Sequence, residues 1–311
     1  MLWIFLALLG AVANAAYFII IKKYISALDP RILTSIGFTL GGILLFAVSA
    51  SLGFPDIGPE FFPAVAITVF LNICGLSLIF KALSSSDLSL SVPMLSFTPV
   101  FLIFTSYVIL HEAPSFFGFL GICIIVSGSY VLNISAGHEH VLDPIRSMMR
   151  NRASWYMLLV AFLFAVSINF DKIALLNSDP FFGMALTVMS IGIAFLLISA
   201  YFFMVRRNLD KDLPPNPLKK EGQQEIPTRA VPHKQFAILA LLIGLFVAIE
   251  AASINVAYTL QIVPYVIAIK RLSIIFMVLY GTIVLSEGDI TKRVTGATIM
   301  VLGAMIILLF A

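Results

Sequence analysis

PYVIAIKRLSIIFMVLYGTIVLSE, residues 264–287, decides how the chain is read. The stretch is long and apolar enough to cross a bilayer, which takes about 20 mainly apolar residues in a helix. Yet Lys270 and Arg271 stand side by side well inside it. A cation at the middle of a membrane helix costs roughly 2.5–3.5 kcal/mol on insertion scales. The pair therefore needs a counter-charge, a water-filled cavity or an anionic ligand. Which of these it has governs the reading of function.

The rest of the chain is of the same kind. It is 60% hydrophobic and 11% charged over 311 residues, with a mean hydropathy of +1.06. A soluble domain has about 45–50% apolar and about 25% charged residues. The excess does not fit inside one globular core, so a polytopic membrane protein is expected. Ten segments qualify as spanning helices: 2–21, 32–53, 61–82, 88–110, 115–134, 154–176, 180–205, 236–260, 263–285 and 290–310. Lipid offers no partners to backbone groups, so only helices or closed barrels cross it. Runs this apolar are not the alternating strands of a barrel. The fold class expected is an all-α membrane protein with ten transmembrane helices. MLWIFLALLGAVANAA ends on a small-residue pattern like a signal cleavage site, but it lacks a basic leader and its apolar run continues to Ile21, so a retained helix is expected. Cys74 and Cys123 lie in apolar segments and read as small buried hydrophobes, with no disulfide or metal implied.

Two connections are long. GHEHVLDPIRSMMRNRAS, residues 137–154, puts Val141, Leu142, Ile145, Met148 and Met149 on one helical face opposite Arg146 and Arg150, as in a helix lying in the interface. His138 and His140 there have no further ligand residues beside them and read as solvated. Residues 206–235 hold five prolines and mixed charge and read as a disordered linker. Of the 19 Lys and Arg residues, sixteen fall on one set of connections, between segments 1–2, 3–4, 5–6, 7–8 and 9–10. Lys172 is on the other side, and the remaining two are the intramembrane pair. The positive-inside rule puts the sixteen in the cytoplasm, with loop 206–235, and both termini outside. The compact chain favours a prokaryotic plasma membrane.

The sequence also repeats itself. A shift of 150 brings Lys22, Asp29 and Pro30 onto Lys172, Asp179 and Pro180. A shift of 175 brings Ala82 onto Ala257, Phe101 onto Phe276, Leu110 onto Leu285, Glu112 onto Glu287, Gly121 onto Gly296 and Gly128 onto Gly303. Segments 1–5 thus match segments 6–10. Five is odd, so the halves insert with opposite topology, the inverted-repeat plan of secondary transporters, whose sites lie near the midplane between halves.

VPMLSFTPVFLIFTSYVILHEAPSFFGFLGICIIVSGSYVL at 92–132 and its partner at 266–309 each run from an apolar helix through a terminal Glu into a helix with glycines seven apart. In these features the chain resembles the drug/metabolite transporter superfamily, specifically its EamA-type members. The resemblance implies one five-helix repeat over 1–135, an interfacial connection over 136–153 and a second repeat over 154–311. It also implies transport as the activity, with substrates ranging over amino acids, drugs, nucleotide sugars and sugar phosphates. Gly121, Gly128, Gly296 and Gly303 are expected to let neighbouring helices approach closely.

The duplication makes the basic pair informative, because its first-half counterparts are Leu95 and Ser96. A charge that the repeated scaffold does not require points to function. If helix nine starts at Pro264, Lys270 lies about 9 Å in and Arg271 about 1.5 Å deeper. Glu250, ten residues before Leu260, lies about 15 Å from the same surface, within reach of one cation. A Glu250 bridge to either cation would neutralise that one and leave the other unexplained. Arg offers a planar fork for carboxylate or phosphate, and Lys a mobile point charge. The pair is similar to the adjacent Lys-Arg of the plastid triose-phosphate translocators, which implies phosphate binding at Lys270 and Arg271. Helices four and seven carry no intramembrane Lys or Arg, however, so carboxylates stay open.

Candidate substrate-binding residues are Lys270, Arg271, Glu250, Asn255, Tyr258, Asn72 and Asn169. Asn14 is a further intramembrane amide, and Asp171 and Lys172 are expected at the interface with their charges solvated. Pro93 and Pro99 free backbone carbonyls in helix four.

The function expected is a secondary transporter of a small anionic or zwitterionic metabolite, working by alternating access. The alternatives are an exporter of cationic or amphipathic compounds or amino acids using Glu250, or a non-transporting membrane subunit on the same fold. There is no Walker A sequence and no metal-ligand spacing, so neither an enzyme nor a cofactor is expected. The partners expected are a small-molecule substrate, the lipid bilayer, and protons or a counter-substrate. No nucleic acid is expected, and a homodimer stays open.

Overall fold

The computed structural model describes residues 1–24, 30–85, 92–133, 152–212, 233–285 and 290–310. These residues form helices α1 (Leu2–Tyr24), α2 (Pro30–Leu52), α3 (Phe61–Ser85), a 3-10 turn (Val92–Phe97), α4 (Thr98–Leu110), α5 (Phe116–Asn133), α6 (Arg152–Leu176), α7 (Phe182–Asp212), α8 (His233–Leu260), α9 (Val263–Lys270), α10 (Ser273–Leu285) and α11 (Ile290–Phe310). No strand occurs among the described residues. Eight helical stretches there are long and apolar enough to cross a membrane, and Met94–Leu110 and Phe116–Leu132 are shorter apolar ones. Large apolar side chains such as Phe70, Phe104, Leu197 and Leu309 face outward, exposed in the isolated chain. On a soluble protein such a surface would aggregate; here it is the lipid-facing wall.

Most of the expected segments recur as helices, with three differences. The ninth segment is not one helix. α9 ends at Lys270, two turn residues follow, and α10 starts at Ser273. Across the break the N–H groups of Leu272, Ile274 and Ile275 bond three residues back, to Ile269, Arg271 and Leu272, at 3.0, 3.1 and 3.0 Å. This is 3-10 geometry, tighter than the α-helix and often found where a helix carries function. Secondly, α7 runs through 206–212 to Asp212, and α8 begins at His233, so both helices extend into the stretch expected to be a linker. No proline interrupts α7 before Pro214, which lets its backbone ladder continue beyond the apolar residues. Residues 213–232 lie outside the described residues. So does the expected interfacial helix, save Arg152 and Ala153, where α6 begins. Thirdly, α1, the expected retained helix, runs three residues beyond Ile21 to Tyr24 and packs along α8.

Small residues bring the helices together. A Cβ on Gly121 would lie 2.8 Å from the carbonyl oxygen of Gly303, and one on Gly128 would lie 2.7 Å from that of Gly296. The order of these contacts makes α5 and α11 antiparallel, backbone against backbone. α2 and α7 cross in a similar way. Gly42 sits on Ala185 and Met189 of α7, while Gly192 sits on Ser35 and Thr39 of α2. α3 packs on α6 as α1 packs on α8. Asp179 starts α7 by accepting the N–H groups of Phe181 and Phe182, which accounts locally for the Asp-Pro of the second-half motif.

The largest buried cluster joins α4, α5, α8, α9 and α11, with Leu102, Ile122, Ile125, Ile254, Tyr258 and Ile307 among its members. Every residue of α9 from Val263 to Ile269 is buried. α9 is thus an interior helix that delivers Lys270 and Arg271 to the centre of the molecule.

Candidate functional site

The break between α9 and α10 opens on a cavity of about 280 Å³. Its wall includes Asn14 and Phe18 of α1, Asn72 of α3, Phe164, Ser167, Ile168 and Asp171 of α6, and Ile267, Lys270, Arg271 and Ser273 around the break. The volume falls just below the range of about 300–1,000 Å³ common for small-molecule pockets. A larger crevice of about 560 Å³ lies between α10 and α11, but apolar side chains dominate it and Arg293 is its one charged residue. The polar cavity is the one with the means to recognise a polar solute.

Both cations of the pair reach this cavity, and their surroundings differ. Lys270 Nζ lies 2.6 Å from Glu250 Oε1, and the Asn14 amide donates to the same oxygen at 3.0 Å. The Lys270 and Glu250 side chains are 27% and 16% exposed, so the pair is largely out of water. Its two charges cancel within the wall. The Arg271 guanidinium takes part in no ion pair or hydrogen bond among the described residues, and its Nε is buried without a partner. A buried guanidinium with open donors is costly unless something outside the fold satisfies it.

Opposite charge comes from α6. Asp171 lines the cavity, and its Oδ1 is also buried without a hydrogen-bond partner. No ion pair joins it to Lys270 or Arg271. Beside it, the Asn72 amide donates to Ser167 Oγ at 2.8 Å and to the Thr68 carbonyl at 2.9 Å, which fixes the amide on the wall. Phe164, Ser167, Ile168 and Asp171 follow the spacing of one helical face, so α6 presents them together.

The other expected site residues are placed elsewhere. Asn169 is fully buried and saturated: it accepts from Ser106 Oγ at 2.6 Å and donates to Thr105 Oγ1 at 2.9 Å and to the Ala165 carbonyl at 2.8 Å. It ties α6 to α4 from the face turned away from the cavity. Asn255 donates to the Ala251 carbonyl at 3.0 Å, and its Oδ1 is buried without a partner. Tyr258 sits in the large apolar cluster. Neither is part of the cavity wall. Glu250 acts on the cavity through Lys270.

Lys172, expected to be solvated at the interface, is instead buried. It forms an ion pair with Glu112 and donates to the Gln261 carbonyl at 3.3 Å. Glu112 Oε2 in turn accepts the Val263 N–H at 2.9 Å, at the N-terminus of α9. His111, in the left-handed conformation with φ of 55°, ends α4 and turns the chain into Glu112. The Tyr265 hydroxyl accepts the Ser115 N–H at 2.7 Å and donates to Ser115 Oγ at 3.2 Å, holding α9 to the start of α5. These contacts hold the buried helix that carries the pair.

A helical membrane protein with a charged cavity enclosed between its helices has the form of a membrane transporter. The family comparison agrees. Residues 1–134 match the EamA-like transporter family, consistent with the drug/metabolite transporter superfamily. Among solved structures, one crystal structure of a protein is similar to this chain with a TM-score of 0.71 at 14% identity, over 98% of this chain and 98% of its own. At that identity the likeness is one of fold. No curated protein matches the chain.

Proposed function

We propose that the protein is a secondary transporter, not an enzyme, that moves a small anionic or zwitterionic metabolite across a membrane by alternating access. The observation that carries this reading is Arg271: a half-buried side chain in a polar cavity, with its Nε buried and without a partner. Lys270 is engaged by Glu250, so Arg271 is the cation left for the solute's acidic group. Lys270 adds an N–H donor beside it, and Glu250 fixes Lys270 in position. The cation-exporter alternative uses Glu250 as the ligand. Glu250 already holds Lys270 and Asn14 on one oxygen, which favours the acid-binding reading.

The architecture we propose is ten transmembrane helices as two inverted five-helix repeats. Three observations support it. A shift of 175 carries the 3-10 turn 92–97 onto 267–272, the tight turns around the break, and α4 onto α10. The same shift exchanges the two glycine contacts of α5 with α11, since Gly121 becomes Gly296 and Gly128 becomes Gly303. A shift of 150 turns Gly42 and its partners' counterparts Ser35 and Thr39 into Gly192, Ala185 and Met189. Each exchange is what a two-fold relation between halves produces, and the antiparallel crossings are what inversion produces. Alternating access is then a rocking of the halves about the cavity. Both termini outside and loop 206–235 in the cytoplasm, in a prokaryotic plasma membrane, complete the proposal, with protons or a counter-substrate driving exchange.

Ligand-induced thermal stabilisation of the detergent-purified protein tests this reading, because a ligand of the native state raises its apparent stability by mass action. The panel is sugar phosphates, organic acids, amino acids and organic cations. The expected result is a shift with acid-bearing solutes that the Lys270→Gln/Arg271→Gln double variant loses. A shift with cations alone that survives the double variant and vanishes in Glu250→Gln would overturn it.

A further inference from the structure

Three charged side chains line the cavity, Asp171, Lys270 and Arg271, with Glu250 behind Lys270, and their pairing is uneven. Lys270 and Glu250 neutralise one another at 2.6 Å. Arg271 and Asp171 are left, of opposite sign, on different helices, each with a buried polar atom lacking any partner. They do not form an ion pair with each other, and both line the cavity. Asn14, Asn72, Ser167 and Ser273 supply neutral polar groups on the same wall.

A solute of one sign would satisfy half of this site. A carboxylate or phosphate on Arg271 leaves the Asp171 carboxylate, with its Oδ1 buried and unpartnered, without a counter-charge, and an uncompensated charge at a largely buried position is expensive. An organic cation on Asp171 leaves Arg271 in the same condition. A molecule carrying both charges satisfies both ends without net change in the charge of the site. On this ground we infer that the transported solute is a small zwitterion, its acidic group on Arg271 and its ammonium on Asp171. The inference rests on the transporter reading and deepens it by giving Asp171, rather than Glu250, the task of recognising a positive group. The cavity's volume of about 280 Å³ limits the solute to a small metabolite. The site thereby discriminates twice. It rejects the deaminated acid by leaving Asp171 unpaired, and it rejects the decarboxylated amine by leaving Arg271 unpaired.

Matched probes test this on the native protein. Alanine, leucine and phenylalanine are each compared with the 2-hydroxy acid and the primary amine of the same side chain, by thermal stabilisation and by titration calorimetry. Hydrogen bonds to a charged group contribute about 1.5–3 kcal/mol, so losing either end should weaken binding about tenfold or more. The expected result is that at least one amino acid binds and both of its analogues bind about tenfold more weakly. Asp171→Asn should then remove the preference over the 2-hydroxy acid, by weakening the amino acid and relieving the penalty on the 2-hydroxy acid.

A 2-hydroxy acid that binds as tightly as its amino acid, with Arg271→Gln abolishing both, would overturn the zwitterion inference and leave the acid-binding transporter intact. Silence from every amino acid also overturns it. In that case, binding of malate or glucose 6-phosphate that depends on Arg271 would keep the broader reading, and its absence would remove both. The native probe series decides the matter even if Asp171→Asn does not fold.

Discussion

The stretches Val92–Leu110 and Ile267–Leu285 have the same backbone plan and opposite chemistry. Each begins with about two tight turns and continues as a helix of 13 residues, α4 or α10. In the first, the turn is packed away. Met94 is fully buried against Tyr130 and Met157, and the Ser96 and Ser129 hydroxyls bond at 2.9 Å. In the second, the counterparts of Leu95 and Ser96 are Lys270 and Arg271, and they face the cavity. The other charges of the site follow this division. A shift of 175 pairs Glu250 with Gly75, and a shift of 150 pairs Asp171 with Ile21. All four charges belong to one half. A tight turn leading into a 13-residue helix is therefore present with or without charge, whereas the charged residues of the cavity all follow residue 152.

This contrast can be broken by exchanging the residues. The largest effect on stability is expected from Glu250→Gln, which leaves Lys270 largely buried and unpaired. Removing one member of a buried pair costs up to about 3–5 kcal/mol. The partial exposure of Lys270 puts the expected loss at the lower end, read as a fall in melting temperature. Adding Lys270→Leu, the first-half residue, should recover most of it, and a double-mutant cycle measures the coupling. Next is Arg271→Ser, which copies Ser96. Solute binding should fall by roughly 10- to 100-fold, since charged hydrogen bonds contribute about 1.5–3 kcal/mol, while the melting temperature without ligand holds or rises. A large fall in stability without ligand would mean that Arg271 is structural.

Gly121→Leu forces a side chain between the backbones of α5 and α11 and should cost about 1–3 kcal/mol by overpacking. Gly296→Leu should cost a similar amount, because a shift of 175 carries Gly121 onto Gly296 and its contact with Gly303 onto that of Gly296 with Gly128. Unequal costs would count against the two-fold relation. The smallest effect is expected from Ser96→Ala. Losing one hydroxyl contact costs about 1 kcal/mol, and solute binding should not change.

Much of the fold was legible in the sequence, because lipid forces apolar helices and leaves few other solutions. The break in the ninth segment was not. Ile-Lys-Arg-Leu-Ser contains neither proline nor glycine, and only the counterpart stretch carries a marker, Pro93. The link between Glu250 and the pair was legible from depth along the α8–α9 hairpin, though depth alone did not say which cation it would take. Asp171 was read as interfacial because it was counted from the end of its helix. Its neighbours Phe164, Ser167 and Ile168 share its face, and that stripe was the available signal. Asn169 looked equivalent as an intramembrane amide, but it lies off the stripe, and Thr105 and Ser106 saturate it. Which face of a helix meets a cavity depends on its neighbours, and one sequence does not state them.

The central claim is that the cavity at Lys270 and Arg271 is the transport site. Its most direct test is solute flux in proteoliposomes across a panel of labelled amino acids, organic acids, sugar phosphates and organic cations, comparing the native protein with Arg271→Gln. The account predicts flux of at least one acid-bearing solute by the native protein. It also predicts the loss of that flux in a variant whose circular dichroism and melting are unchanged. Flux of the same solute that persists in Arg271→Gln, or flux confined to cations and dependent on Glu250, would contradict it.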